Sequence, residues 1–357
     1  MFTQKDCVIT DSWKYEDMQT VVLENEFLRV VVIPDKGSEI VEFRYKPLDV
    51  DFLLQRPGGV RSPWHGSGGL SDLAMLDVYN GGWNEILPNG GAPSSYKGAP
   101  FGQHGEISAI PWKYSILDAT PQRAEVKMWV RAHRTPFVLE RRMILEKGKP
   151  ILTLIEKLTN DAGEEMHLMW GHHIALGNPF LLDGAKIFAP AKKFIVADPM
   201  ENYVPRRFAP GAVFDWPNVL SPDGKPDDAS IVPAYGSEQA QELGFLAELT
   251  DGWYAIINPV HKVGFGTRFD HNLFRFIWYW QQLGDVARGY PWFGKMHTMA
   301  LETWTSRAIA GLSEAVQNGT ALVMQPGETI ETEFKAVAFS GLNQVTSISP
   351  CGEVSGY

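Results

Sequence analysis

From residue 111 to residue 176 the chain repeats one pattern: short runs in which apolar and polar side chains alternate, each closed by turn residues. The runs are PWKYSILDA, AEVKMWVRAHR, FVLERRMILEK, PILTLIEKLTND and EEMHLMWGHHIAL. Closures such as Asp118-Ala119-Thr120-Pro121 and Lys147-Gly148-Lys149-Pro150 separate them. A period of two belongs to a strand with one face in a core. Nothing between the runs reads as a crossover helix, so neighbours pair antiparallel and the five are expected as a meander.

The pattern extends to both sides. TVVLENEFLRVVVIP (20–34) turns at Glu24-Asn25-Glu26, and SEIVEFRY (38–45) follows Asp35-Lys36-Gly37. Later come ELGFLAELTDGWYAIINP, HKVGFGTRFD, LFRFIWYW, HTMALETWTS and TIETEFKAVAF. SRAIAGLSEAVQNG (306–319) is the one segment that reads as a short helix. Two irregular stretches, 57–105 and 197–239, are rich in Gly and Pro. Loops that long in a β fold usually carry function. The fold class expected is mainly β and antiparallel. With no repeat or linker-like boundary, residues 1–357 are expected to form a single domain.

Charge excludes some partners. A net charge of -10 argues against a nucleic-acid backbone as partner and gives no support for attraction to an anionic membrane. The first residues, MFTQKDCVITDSWKYEDMQ, lack the charged-then-apolar pattern of a secretory leader, and no apolar run is long enough to span a bilayer. A soluble protein of the cytoplasm is the expectation. Cys7 and Cys351 match no metal or redox spacing; two free thiols are expected, with a bridge between the termini as the alternative.

Three polar groups stand among apolar neighbours. In MWGHHIALGNPF (169–180) His172 and His173 are adjacent, so on a strand they face opposite sides and only one can look into a given cleft. Each read singly is a core histidine with a partner. His104, in GQHGE, lies between Gly102 and Gly105, which permit close backbone approach to a ligand; a surface turn is the competing reading. Glu302, in MALETWTS, shares a strand face with Ala300 and Trp304; it lies either at a wet sheet end or in a pocket where burial makes it a better base.

Tryptophans form a further signal. Trp83, Trp112, Trp170, Trp278, Trp280 and Trp292 crowd these candidates in sequence. Aromatic faces pack on the C–H face of a sugar ring, although most such rings belong to cores. His167, His172 and His173 lack zincin spacing, and there is no P-loop, dinucleotide fingerprint or G-x-S-x-G elbow.

In their order along the chain these segments resemble the aldose 1-epimerase (galactose mutarotase-like) superfamily over nearly the whole length. VVLENEFLRVVVIPDKGSEIVEF resembles its opening strands, and GGWNEILPN followed by QHGE its long first loop. GHHIALGNPF is similar to its Gly-x-His-Pro-Tyr-Phe segment and ALETWTS to its Leu-Glu-Pro segment. The resemblance implies a large antiparallel β-supersandwich with long loops and at most short helices. It implies aldose 1-epimerase activity on a sugar, with Glu302 as catalytic base and His173 as catalytic acid, and His104 orienting the sugar near its ring oxygen. His172 then faces the other way as a structural residue.

Trp83, Glu85 and Asn89 occupy the loop where the best-studied galactose enzymes carry Asn-Arg-Ile. They are expected, with Trp280, to contact substrate. Ile174, Leu176 and Thr303 depart from the usual Pro, Phe and Pro, which leaves the identity of the sugar open. FDHN (269–272) is similar to a sugar-binding Asp-His-Asn, but its place in the motif order does not transfer that role to Asp270. No cofactor or metal is expected, and the chain is expected as a monomer or homodimer. Two other functions fit the same resemblance: a polysaccharide lyase or glycosidase, favoured by a long cleft or a Tyr beside His173, and a non-catalytic sugar-binding protein.

Overall fold

The structure is a computed structural model that describes residues 6–63, 74–200 and 203–357. Parts of both long loops, 64–73 and 201–202, thus lie outside the described residues. Among the described residues two antiparallel sheets, one of twelve strands and one of nine, carry the fold.

The larger sheet begins with Val8–Thr10, followed by Val21–Glu24, Leu28–Ile33 and Glu39–Tyr45. It continues through Trp83–Ile86, Gly171–Leu176, Thr298–Trp304, Phe276–Leu283 and Ala240–Ala247. The smaller sheet begins with Lys113–Thr120, Arg123–Arg131, Phe137–Glu146 and Ile151–Asn160. Thr329–Ser340, Val263–Arg268 and Trp253–Asn258 extend it. Their inner faces share one core, to which the larger sheet gives Val30, Phe43 and Leu301 and the smaller Val126, Leu154 and Phe334. Rings meet across the gap: Phe43 packs edge-on against Phe265 at 5.4 Å between centroids, and Trp83 against Phe334 at 5.5 Å. Burying one such side chain stabilises by about 1.5–3 kcal/mol. Two large antiparallel sheets with only short helices are the fold class expected.

The expected five-strand meander is corrected to four strands. The fifth run, EEMHLMWGHHIAL, divides: Met166–Leu168 pairs with Leu322–Met324, and Gly171–Leu176 crosses into the middle of the larger sheet. The edge beside Ile151–Asn160 is already taken by Thr329–Ser340. A run apolar on both faces belongs in a sheet centre, where both are covered; every residue of Gly171–Leu176 is buried.

The first long loop is likewise partly regular. It contributes Trp83–Ile86 to the centre of the larger sheet and a small hairpin, Ser94–Tyr96 with Ala99–Phe101. The helix expected within 306–319 is Leu312–Gln317, and Ala74–Val78 forms a second short one. Cys7 is buried, Cys351 exposed, and both thiols are free. No helix among the described residues is long and apolar enough to cross a membrane.

Candidate active site

The outer face of the larger sheet, turned away from the core, forms the floor of a cavity of about 210 Å³. Residues opposite one another in an antiparallel pair share a face. Trp278 stands opposite Glu302 and Trp280 opposite Ala300. Gly171 pairs with Trp304 and His172 with Thr303, so the register brings His173 beside Glu302 on the outer face. Nε2 of His173 lies 3.5 Å from Oε1 of Glu302, both side chains being almost fully buried. The second oxygen, Oε2, accepts the indole N–H of Trp304 at 2.9 Å. Two strands of one sheet thus fix an acid–base pair, and a neighbouring ring orients its carboxyl.

Gly171 is required by this arrangement. A Cβ there would come within 2.2 Å of the Trp304 ring. Opposite the pair stands His104, its ring centroid 5.2 Å from that of His173. It adopts a left-handed backbone (φ 59°), rare for a residue with a side chain. Gly105 follows at φ 66°, where a Cβ would press against the Leu87 carbonyl at 2.6 Å. The backbone N–H of Gly91 donates to Nδ1 of His104 at 3.4 Å, which places the ring proton on Nε2, facing the cavity.

Burial sets the protonation states. It pushes the Glu302 carboxyl up to about 8, against a small opposing pull from the Trp304 hydrogen bond. It pushes His173 well below the ordinary histidine value, helped by neighbouring His104, and His104 down to about 4. Both shifts favour the proton on the carboxyl over the imidazole.

Loops supply the walls. Tyr79 packs edge-on against His173 at 5.6 Å and against Trp292 at 5.9 Å. Trp280 is 5.8 Å from each of Trp292 and His173, closing a ring of four aromatic groups. Gln103 and Tyr203 also line the cavity. Among the described residues the Tyr79 hydroxyl is buried without a hydrogen-bond partner. An unpaired buried polar group costs about 1–3 kcal/mol, so this hydroxyl is suited to a ligand that can hydrogen-bond to it.

Of the residues expected at the site, His104, His173, Glu302 and Trp280 line this cavity. Trp83, Glu85 and Asn89 do not, and the substrate contacts expected of them are corrected. Trp83 and Glu85 belong to a strand whose register sets them opposite Ile174 and His172, on the core face. Asn89 is a loop brace: its amide donates to the carbonyls of Ala92 and Gly102, and its oxygen accepts from the Leu312 N–H. Sequence reasoning did not single out Tyr79, Gln103 or Tyr203. Trp278 was legible, since it alternates with Trp280 along one strand.

The core face of the same strands holds a buried polar network. Trp83 donates its indole N–H to Nδ1 of His172 at 3.2 Å, so Nε2 carries the ring proton and points to Glu156, also at 3.2 Å. Glu85 accepts from Trp170 at 2.8 Å and from Arg141 at 3.0 Å. Burial, with repulsion from Glu156, pushes Glu85 up to about 7; burial pushes Glu156 up to about 7 and His172 down to about 4. Atoms of Glu85, Glu156 and His172 lie within 4.8 Å of one another, a donor set of metal-binding type. The Arg141 guanidinium, fully buried beside Glu85, supplies positive charge there. His172 is thus a structural partner to this network, while its neighbour faces the cavity.

With this geometry in place, comparison with known proteins gives a family. The profile described as "Domain of unknown function (DUF4432)" matches residues 16–337. The chain belongs to the DUF4432 family. No curated protein matches this DUF4432 chain significantly in sequence. Solved structures share its fold. A galactose mutarotase-like protein from Clostridium acetobutylicum is 15% identical, with a TM-score of 0.63 over 95% of this chain and 100% of the other. The Slr1438 protein of Synechocystis is 14% identical, with a TM-score of 0.64 over 93% and 99%. A galactose mutarotase related enzyme from Lactobacillus acidophilus is 16% identical, with a TM-score of 0.57 over 90% and 97%.

Proposed function

We propose that this DUF4432 protein is an aldose 1-epimerase that interconverts the α and β anomers of a sugar. The observation that carries this reading is the approach of His173 and Glu302 to 3.5 Å on the floor of a cavity walled by aromatic rings. Ring opening needs one base and one acid. Glu302 removes the proton from the anomeric hydroxyl, the bond from C1 to the ring oxygen breaks, and His173 protonates that oxygen. The open aldehyde rotates about its C1–C2 bond. Reclosure with the roles exchanged gives the other anomer. His104, neutral with its proton on Nε2, donates to the ring-oxygen side, and Trp280 packs on the C–H face of the sugar.

Opening leaves the proton on Glu302 and none on His173. This is also the distribution that burial favours. The pair titrates as a unit, and its working form carries one proton in total. General acid–base assistance contributes about 10²–10⁴-fold per group.

One observation favours a second reading. Tyr79 stands edge-on to His173, the arrangement expected if the fold served a lyase or glycosidase. Burial holds its phenol well above the ordinary value, so Tyr79 is suited to donating a proton rather than removing one.

The test is saturation-transfer NMR of anomer exchange across a panel of free aldoses, with wild type and Glu302→Gln side by side. Exchange accelerated by wild type alone supports the assignment. Equal acceleration by both removes Glu302 from the mechanism, and no acceleration of any sugar by folded protein removes the epimerase reading.

A further inference from the structure

A second cleft, of about 460 Å³, adjoins the acid–base cavity and shares Leu76 and Trp292 as walls with it. Its character is opposite. The cavity is aromatic, whereas the cleft is lined by Arg56, Arg61 and Lys295, with Asp77 as the one carboxylate among the lining residues. Three cations gathered around one carboxylate are notable in a chain of net charge -10.

Among the described residues Arg56 is held in place by an aromatic ring and by backbone carbonyls. Its guanidinium lies over the Trp292 ring at 5.2 Å and donates to the backbone carbonyls of Leu76, Tyr79 and Pro291. Among the described residues those three bonds leave two of its five N–H donors unused. Among the described residues Arg61 repels Arg56, and no carboxylate is among the charges that act on it. The Asp77 carboxylate accepts the Tyr290 hydroxyl at 2.8 Å. Two guanidiniums brought together on a partly buried surface raise the energy of the empty cleft, and an anion between them would lower it. Guanidinium forks match phosphate and carboxylate groups geometrically.

We propose that this cleft receives an anionic substituent, such as a phosphate or a carboxylate, carried by the same sugar whose ring occupies the acid–base cavity. The proposal rests on the sugar reading of that cavity and deepens it. The reacting carbon sits over Glu302 and His173, and the charged end passes beside Trp292 into the cleft. The aromatic walls hold the ring, and the cations choose among sugars by charge.

Calorimetric binding and anomer exchange, run in parallel on the full chain, test this. The probes are D-glucose, D-galactose and D-mannose, each as the neutral sugar, the 6-phosphate and the uronic acid. The proteins are wild type, Arg61→Glu and Lys295→Glu; both substituted residues are exposed, and circular dichroism checks folding. At least one anionic form is expected to bind wild type about tenfold or more tightly than its neutral parent, as charge-assisted hydrogen bonds allow. That advantage is expected to vanish in both charge reversals and to shrink with added salt. Whether phosphate or carboxylate has the advantage identifies the anion.

Neutral and anionic forms binding alike, or no form binding, overturns the proposal. So does an advantage that survives both reversals. Anionic preference without exchange of any sugar would leave the cleft standing and remove the epimerase reading. Exchange of neutral sugars without anionic preference would do the reverse.

Discussion

The indole N–H of Trp304 donates to Oε2 of Glu302 from two positions further along the same strand, at 2.9 Å. That bond holds the carboxyl's affinity for its proton below what burial alone would set. Trp304→Phe keeps most of the packing and removes the bond. The alkaline limb of the anomer-exchange pH profile is then expected to move to higher pH, with a slower rate at neutrality. A profile that did not move would show that another group titrates in that limb.

The wild-type profile itself follows from the pair. Glu302, raised to about 8, retains the pair's single proton up to that pH. Above it the carboxyl ionises while His173 is neutral, and no acid remains. Exchange is expected to decline above about pH 8, measured by NMR across a buffer series. A rate that stayed level well beyond that point would contradict the one-proton assignment.

At Gly171 the space for a Cβ is filled by the Trp304 ring, 2.2 Å away and flanked by buried groups. Gly171→Ala must displace that ring and, with it, the Glu302 carboxyl. Overpacking of this kind costs about 1–3 kcal/mol. Urea denaturation should register that loss, and exchange should fall by more than the folded fraction does. Wild-type stability in the variant would mean that the ring moves aside freely.

Glu156 makes stability depend on pH through the core face. Its carboxyl sits at about 7 in the folded chain, against about 4.3 when unfolded. Between those values the folded chain holds a proton that the unfolded chain has released. The group's contribution to stability therefore falls as pH rises across the interval and levels off above the folded value. Glutamine does not titrate and can still accept from Nε2 of His172. The stability of Glu156→Gln relative to wild type is expected to improve between about pH 5 and pH 7. Denaturation curves at both ends of that range decide it; a constant difference would mean that Glu156 is ionised throughout.

Tyr79 separates the two catalytic readings. As a wall residue of an epimerase, Tyr79→Phe keeps the ring against His173 and loses one hydroxyl contact, so exchange should fall by about tenfold or less. As the proton donor of an elimination or glycoside cleavage, its loss would cost about 10²–10⁴-fold. Turnover of an oligosaccharide by wild type, abolished in the variant, would favour the second reading.

Much of this arrangement was legible in the sequence because strands have a period of two. Alternation alone put His172 and His173 on opposite faces and set Glu302 with Ala300 and Trp304. It could not do the same for Trp83 and Glu85. Those residues lie in a Gly- and Pro-rich stretch whose four-residue strand is recognisable only once its neighbours in the sheet are known, and register decides which face each one takes. Asn89, Tyr79 and Tyr203 illustrate a different limit. Their positions depend on contacts with segments far away in the chain, as when Asn89 meets Leu312.

The floor and the walls of the cavity have separate origins in the chain. Glu302 and His173 stand on paired central strands, both buried at every residue, and any shift there disturbs the network behind them. Tyr79, Gln103, Tyr203 and Trp292 come from connecting segments that meet the sheet only at its surface. A chain built this way can change the lining of its cavity by trading connecting segments while the His173–Glu302 pair stays in register. For an engineer, the loops are the replaceable parts and the sheet is the chassis.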